Sequence, residues 1–322
     1  MSELHKFLFD GLPVRGQIVR LTDAWQEIQA RRRADDAQSP WPWPVTRMLG
    51  EMAAAGTLMQ ANIKFNGALV MQIFGEGPVK VAVAEVQHDL SLRVTAKVVG
   101  EVAPDAHLQQ LVNAHGRGRC AITLDPKDRL PGQQPYQGVV PLNASLAGGG
   151  QPGMADVLEH YMRQSEQLDT RLVLAADHQV AAGLLIQRLP AEGQANLAGG
   201  QAMEAEEQME HFNRIATLAG SITPDELLQL DVETVLRRLF WQEKILRFDP
   251  QTPRFACTCS RERVSGMIRG LGAEEAESII AERGEIDVAC DFCGQHYRFD
   301  AVDAAQIFMA PGDQPPTSSA VQ

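Results

Sequence analysis

The stretches FACTCSRERV (255–264) and ACDFCGQHYRF (289–299) hold four of the chain's five cysteines, as a C-x-C pair, Cys257 and Cys259, and a C-x-x-C pair, Cys290 and Cys293. Three readings are open at this point: a metal site, two disulfides, or a device that passes between the two. In an extended chain residues i and i+2 lie on one side, so both sulfurs of the C-x-C can face a single ion. The C-x-x-C is followed by Gly294, which can take the positive φ of a tight knuckle that brings two sulfurs together. HYRFD (296–300) then reads as a strand with Tyr297 and Phe299 on one face. Between the pairs, AEEAESIIAERG (273–284) reads as a helix ended by Gly284, and EIDVAC (285–290) as a short strand.

Two close thiol pairs in a small C-terminal unit point to a tetrahedral, four-thiolate zinc site. His296 reads as a surface or supporting residue, because four sulfurs already complete a tetrahedron. Cys120, in GRGRCAITLD, reads as a buried and inert thiol. A thioredoxin-type site sets its C-x-x-C at a helix N-terminus, which lowers a thiol pKa; here the motif runs into a strand. From Cys257 through Cys293 there are only 37 residues, too few to fold on a core alone. A bound metal contributes on the order of 10–16 kcal/mol of apparent folding free energy in small zinc peptides. Oxidising the thiolates would remove the ligands and unfold the unit.

The chain has 322 residues, with 44% apolar and 22% charged, which suits two or three globular domains. It shows no membrane-length apolar run and no secretory start, so a cytoplasmic location is expected. Cytosolic thiols are normally kept reduced, which argues against permanent bridges. A net charge of -12 is a poor basis for binding nucleic acid or anionic membrane; the basic run Arg31–Arg33 falls in a predicted helix and reads as a solvated face.

The pattern is α+β. Residues 1–190 read as an α/β domain with an antiparallel meander and packed helices. Helices are predicted over 21–33, 41–65 (Val45, Met48, Leu49, Met52 and Ala55 at helical spacing) and 153–168. Strands are predicted over 68–75, 79–86, 91–102, 120–125, 137–142 and 171–176. Residues 191–246 form a helical connector that begins Gly/Ala/Gln-rich and then turns acidic, with Glu204, Glu206, Glu207 and Glu210. It continues with a capping box at Thr223 and Glu226, with Pro224 between them, and an apolar face of Val232, Val235, Leu236 and Leu239. It looks thinly provisioned with core residues, its first third is close to a disordered composition, and its plain reading is an inter-domain link. Residues 247–300 are the cysteine domain, and 301–322 a tail expected to be largely disordered at its end.

CTCSRER, then GEID and CDFCGQHYRF, resemble the redox-regulated chaperone family called the heat-shock protein of thirty-three kilodaltons. FLFDGLPVRGQIVRL (7–21), GEGPVKVAV, YQGVVPL, YMRQSEQLDTRL and DPQTPRFACTCSRERV are similar to other family stretches. The spacing C-x-C-x30-C-x-x-C, with Ser260–Ala289 as the intervening residues, is the family's. The resemblance implies an ATP-independent holdase rather than an enzyme. In its reduced, quiet form Cys257, Cys259, Cys290 and Cys293 would hold one Zn2+ per chain. Under oxidation and unfolding stress the disulfides would be Cys257–Cys259 and Cys290–Cys293, the zinc would be released and the connector would unfold. Unfolding client proteins would then bind the N-terminal domain and connector of a homodimer. No phosphate-binding Walker A pattern is present, in keeping with independence from ATP. The competing functions are a zinc-binding adaptor with a purely structural four-cysteine site and a thiol–disulfide enzyme.

Overall fold

Residues 43–60 are apolar or small on nearly every side, so a helix formed there has to be buried all round. The computed structural model, which describes residues 1–34, 39–128, 134–143, 150–189 and 205–309, shows how. The chain divides into two units, Met1–Ala256 and Cys257–Gln322. The first opens with strands β1 (Glu3–Phe9) and β2 (Val14–Leu21), then α1 (Asp23–Ala34) and the apolar helix α2 (Trp43–Gln60). β3 (Gly67–Phe74), β4 (Val79–Gln87) and β5 (Ser91–Val98) follow, then α3 (Leu108–Val112), β6 (Arg119–Pro126) and β7 (Tyr136–Pro141). Next come α4 (Met154–Ser165), β8 (Thr170–Ala176), β9 (Ala181–Arg188), α5 (Ala205–Gly220), α6 (Pro224–Gln229) and α7 (Val232–Phe240). The unit closes with β10 (Ile245–Arg247) and β11 (Arg254–Phe255).

Two sheets result, in the orders β10-β1-β2-β9-β8 and β11-β5-β4-β3-β6-β7, antiparallel except where β11 runs parallel to β5. α2 lies between them, and Val45, Met48, Leu49, Met52 and Ala55 are all buried in the shared core. Small residues let both sheets close on the helix. A Cβ at Gly50 would sit 2.5 Å from that of Ala176 on β8, and one at Gly56 would sit 3.2 Å from Val86 on β4. The predicted helix over 41–65 ends at Gln60. The strand over 91–102 ends at Val98, because Gly100 takes a φ of 109°.

β1, β2 and β9 were not separately predicted from the sequence, yet they build the middle of the first sheet. Nearly every residue of β9 is buried, which erases the alternation that marks a half-exposed strand. The far face of this sheet is covered by α5, α6 and α7. Phe7, Phe9, Ile18, Leu184 and Ile186 meet Ile215, Leu227, Val235, Leu236 and Phe240 there, and the Phe9 and Phe240 rings stand edge to face, 5.0 Å between centroids. The expected poverty of core residues in the connector is thus corrected over 205–240: its few apolar side chains are nearly all spent on one face. The capping box is formed. Thr223 Oγ1 accepts the Glu226 N–H at 3.2 Å, and the Glu226 carboxylate accepts the Thr223 N–H at 3.0 Å. The Gly/Ala/Gln-rich start, 191–204 with Glu204, and the tail from 310 lie outside the described residues.

After α7 the chain becomes a strap across both sheets. β10 pairs with β1, Leu4 and Gln251 exchange backbone hydrogen bonds at 2.8 and 2.9 Å, and β11 pairs with β5. The strap's second anchor is the β4–β5 turn, where Leu90 holds a left-handed φ of 60°, costly for a residue with a Cβ. Its carbonyl accepts the Arg254 N–H at 3.3 Å, and the Arg254 guanidinium lies 2.5 Å from the Asp89 carboxylate.

The second unit holds α8 (Arg261–Leu271), α9 (Ala273–Arg283), the hairpin β12 (Ile286–Ala289) and β13 (His296–Phe299), and α10 (Ala301–Phe308). Its buried apolar core is Val264, Ile268, Ala276, Ile286, Phe299 and Ile307. α8 was not predicted, since Gly266 and Gly270 break its helical signal, but Ser260 caps it by accepting the Arg263 N–H. Gly284 ends α9 at φ 85°, as expected. α10 carries the fold of this unit past residue 300.

Two outcomes follow from this packing. Gly50→Ala gains about 1 kcal/mol of helix propensity but overpacks a rigid contact, which costs about 1–3 kcal/mol; a lower urea midpoint for the variant is expected. Burial alone would raise the Asp89 pKa, but the Ser91 hydroxyl and N–H and the Arg254 guanidinium outweigh it and push it down to about 2. A carboxyl depressed in the folded state adds stability above its unfolded value of ~3.9 and loses it as pH falls through the folded value. Carboxyl-carbon NMR titration should find Asp89 near 2 in the parent chain and higher in Arg254→Ala.

Candidate metal centre

The first thiol pair lies in the extended segment before α8 and the second in the turn between β12 and β13. That turn is a knuckle. Gly294 adopts φ 70° as its sequence position requires, its N–H reaches the Cys290 carbonyl at 2.8 Å, and the Cys290 N–H reaches the Gln295 carbonyl at 3.0 Å. The N–H groups of Phe292 and Cys293 are thereby turned onto the Cys290 sulfur, and that of Gln295 onto the Cys293 sulfur.

The structure brings all four predicted cysteines together. Their Sγ atoms lie within 4.8 Å of one another, with Cys257 and Cys290 3.7 Å apart and Cys259 and Cys293 3.4 Å apart. A tetrahedral ion with metal–sulfur distances of ~2.3 Å sets its sulfurs about 3.8 Å from each other, whereas a disulfide requires about 2.05 Å. The spacing is that of a metal cage made of four separate thiols. Cys293 is buried and the other three are half-buried.

The charge balance agrees with the spacing. Burial and the neighbouring thiols push the Cys293 pKa up to about 11, and the hydrogen bond shared with Cys257, then burial, pushes that of Cys290 up as well. Four thiolates cannot stand this close unless a cation offsets their charge, and a coordinating cation deprotonates them outright. The donors, their spacing and the three inward N–H groups therefore fit a bound metal ion.

Tyr297 is a supporting residue whose role the sequence alone did not indicate. Its hydroxyl donates to the Cys259 sulfur at 3.1 Å. Two residues on, and on the same face, Phe299 is buried under the Arg261 guanidinium, 4.1 Å from its ring centroid. The usable signal was the shared face of Tyr297 and Phe299, which faces the core and the cysteines. His296 points to the opposite face, with Nδ1 2.8 Å from Asp287, and is not part of the sulfur group. CDFC is followed by β13 and not by a helix, so no helix N-terminus activates it. Cys120 is fully buried in β6, as its strand pattern suggested, and desolvation there pushes its thiol up to about 12.

Comparison with known proteins places this architecture. The family model described as Hsp33 protein matches residues 2–300. The chain is similar to the 33 kDa chaperonin of Chromobacterium violaceum, 41% identical over 307 residues that cover 95% of this chain and 94% of that one. It is likewise similar to the 33 kDa chaperonin of Methylobacillus flagellatus, 42% identical over 308 residues that cover 95% and 94%. A crystal structure of the 33 kDa chaperonin (heat shock protein 33 homolog) of Thermotoga maritima shares the fold, with a TM-score of 0.72 at 20% identity over 95% of this chain and 97% of that one. The sequence matches, over nearly the whole length and with the four cysteines gathered into one cage, show that the chain belongs to the Hsp33 family of chaperones.

Proposed function

We propose that the chain is a redox-regulated, ATP-independent holdase, quiet while Cys257, Cys259, Cys290 and Cys293 hold one Zn2+ and active once they are oxidised. The observation that carries this reading is the four-sulfur cage in a unit whose own buried apolar core is small. A cage of soft thiolates in tetrahedral array is the preference of zinc, which when bound supplies the positive charge that keeps the four sulfurs ionised and together.

Oxidation dismantles this arrangement by chemistry at the sulfurs. Each disulfide forms as two thiols give up two electrons and two protons to an oxidant of the peroxide class, so two equivalents of peroxide consume all four ligands. In the folded unit the 3.7 and 3.4 Å contacts join partners more than thirty residues apart. The family resemblance implies Cys257–Cys259 and Cys290–Cys293 as the bonds of the oxidised form, so the sulfurs would have to leave these contacts as the unit loosens. With no thiolate left to hold zinc, the small core would not sustain the cysteine unit that begins at Cys257.

Activation then needs apolar surface. The helices of the connector, 191–246, cover Phe7, Phe9, Ile18, Leu184 and Ile186 on the N-terminal domain. A connector that behaves as a metastable cover would expose this face when it unfolds, and a contiguous apolar face suits the capture of unfolding clients. The net charge of -12 helps such a protein stay dispersed. The expected setting is the cytoplasm and the expected active form a homodimer. The acidic net charge favours protein clients over nucleic acid or membrane.

Peroxide with mild heat should release about one zinc per chain, read with a chromogenic chelator, and should confer suppression of client aggregation. An oxidised, zinc-free protein that lets a thermally unfolding client scatter light as the client does alone would overturn the reading in favour of a structural zinc adaptor. Tyr297→Phe removes a hydrogen bond to a ligand sulfur. Such supporting contacts are worth about 10–100-fold in metal affinity, so the variant should yield zinc to a competing chelator that much more readily, with the same stoichiometry.

A further inference from the structure

The strap over residues 244–256 covers two sheet edges and is held there mostly by its backbone. Its hydrogen bonds are Asp10 N–H to Lys244 C=O at 2.8 Å, Phe248 N–H to Lys6 C=O at 3.0 Å, the reciprocal Leu4–Gln251 pair, Arg254 N–H to Leu90 C=O at 3.3 Å and Ala256 N–H to Leu92 C=O at 3.2 Å. Side chains add surface ion pairs, Lys244 with Asp10, Arg247 with Glu233 and Arg254 with Asp89, but little burial. Pro253 alone is buried, Ile245, Phe255 and Ala256 are half-buried, and Leu246 and Phe248 are exposed at 44% and 53%. A segment with few buried contacts and surface hydrogen bonds belongs to the low-stability end of a fold. Its last residue immediately precedes Cys257, so loss of structure in the cysteine unit frees its end.

Beneath it lie the outer edges of β1 and β5, seven and eight residues long. An uncovered edge presents a row of unpaired N–H and C=O groups that an extended chain of almost any sequence can pair with. Ile245 packs against the Phe7–Phe240 cluster and Phe255 against the α2 core, where the Arg31 guanidinium lies 4.8 Å from its ring centroid, so their removal would leave two apolar notches at these edges.

We propose that the strap occupies a client site, and that an extended, apolar-rich segment of an unfolded protein replaces it by adding a strand to the outer edges of β1 and β5. This rests on the chaperone reading and specifies how a client is held: by backbone pairing, with apolar side chains in the notches left by Ile245 and Phe255. Recognition of backbone explains how one site could serve many sequences.

The test is amide hydrogen exchange by NMR on the full chain, with reduced and carboxymethylated lactalbumin as a permanently unfolded client. Leu4 and Asp10 are the reporters, since both donate to the strap. In the reduced, zinc-loaded protein both amides should be protected. Oxidation should lower their protection by about a hundredfold or more, the range of a sub-global opening, and the client should restore it. Client binding without opening of these amides, or opening with no re-protection by bound client, would overturn the proposal while leaving the chaperone reading intact. If the oxidised protein holds no client at all, as read by co-elution, the chaperone reading fails and the proposal with it. A second variant works in the reduced state. Phe248→Pro with Gln251→Pro deletes two strap N–H donors and should give client capture at unchanged zinc content; open reporter amides without capture would also overturn the proposal.

Discussion

Four sulfur atoms within 4.8 Å of one another cannot all carry charge unless a cation lies among them. The second unit depends on that constraint. Its buried apolar cluster is a small return for ordering more than fifty residues, and a metal held in the cage would supply what the core lacks. The same atoms that complete the fold are the most oxidisable ones in it. A hydrophobic core of equal strength would have no such sensitivity; under the proposed function, the use of thiolates as structural members is what would make the unit's folding depend on redox conditions.

The larger unit follows a different rule. Its core is laid down in layers about α2, and Gly50 and Gly56 set how closely the two sheets approach. The covering helices α5 to α7 add a further layer through a narrow apolar face, pinned by Arg20, whose guanidinium donates to the carbonyls of Leu227 and Leu228 at 2.8 and 2.9 Å. The layer thus has both apolar contacts and polar fastenings at a helix end. Rigid inner layers beneath a thinner outer one are what a protein needs if part of it is to detach while the rest stays folded.

The sequence made the metal centre more legible than the fold around it. Spacing alone identified the four cysteines, and Gly294 and Gly284 adopt the positive φ their positions called for, because a knuckle and a helix end are local events. The capping box at Thr223 and Glu226 was legible for the same reason. What escaped was set at long range. Tyr297 meets a sulfur thirty-eight positions away, β9 is buried on both faces and so has no alternation, and α8 carries two glycines against its helical pattern. The strap was least legible of all, since short strands held by backbone bonds leave almost no trace in side-chain pattern.

The order of strands also bears on how the chain is made. β1 is synthesised before its partners, and its inner edge can pair with β2 soon after, but the partner for its outer edge is β10, at residues 245–247. At ribosomal speeds of about 5–20 residues per second, that edge waits on the order of 10–50 s for its cover. Every newborn copy therefore passes through a period with an open strand edge in a crowd of nascent polypeptides, and the last strands to emerge determine when the first is out of reach.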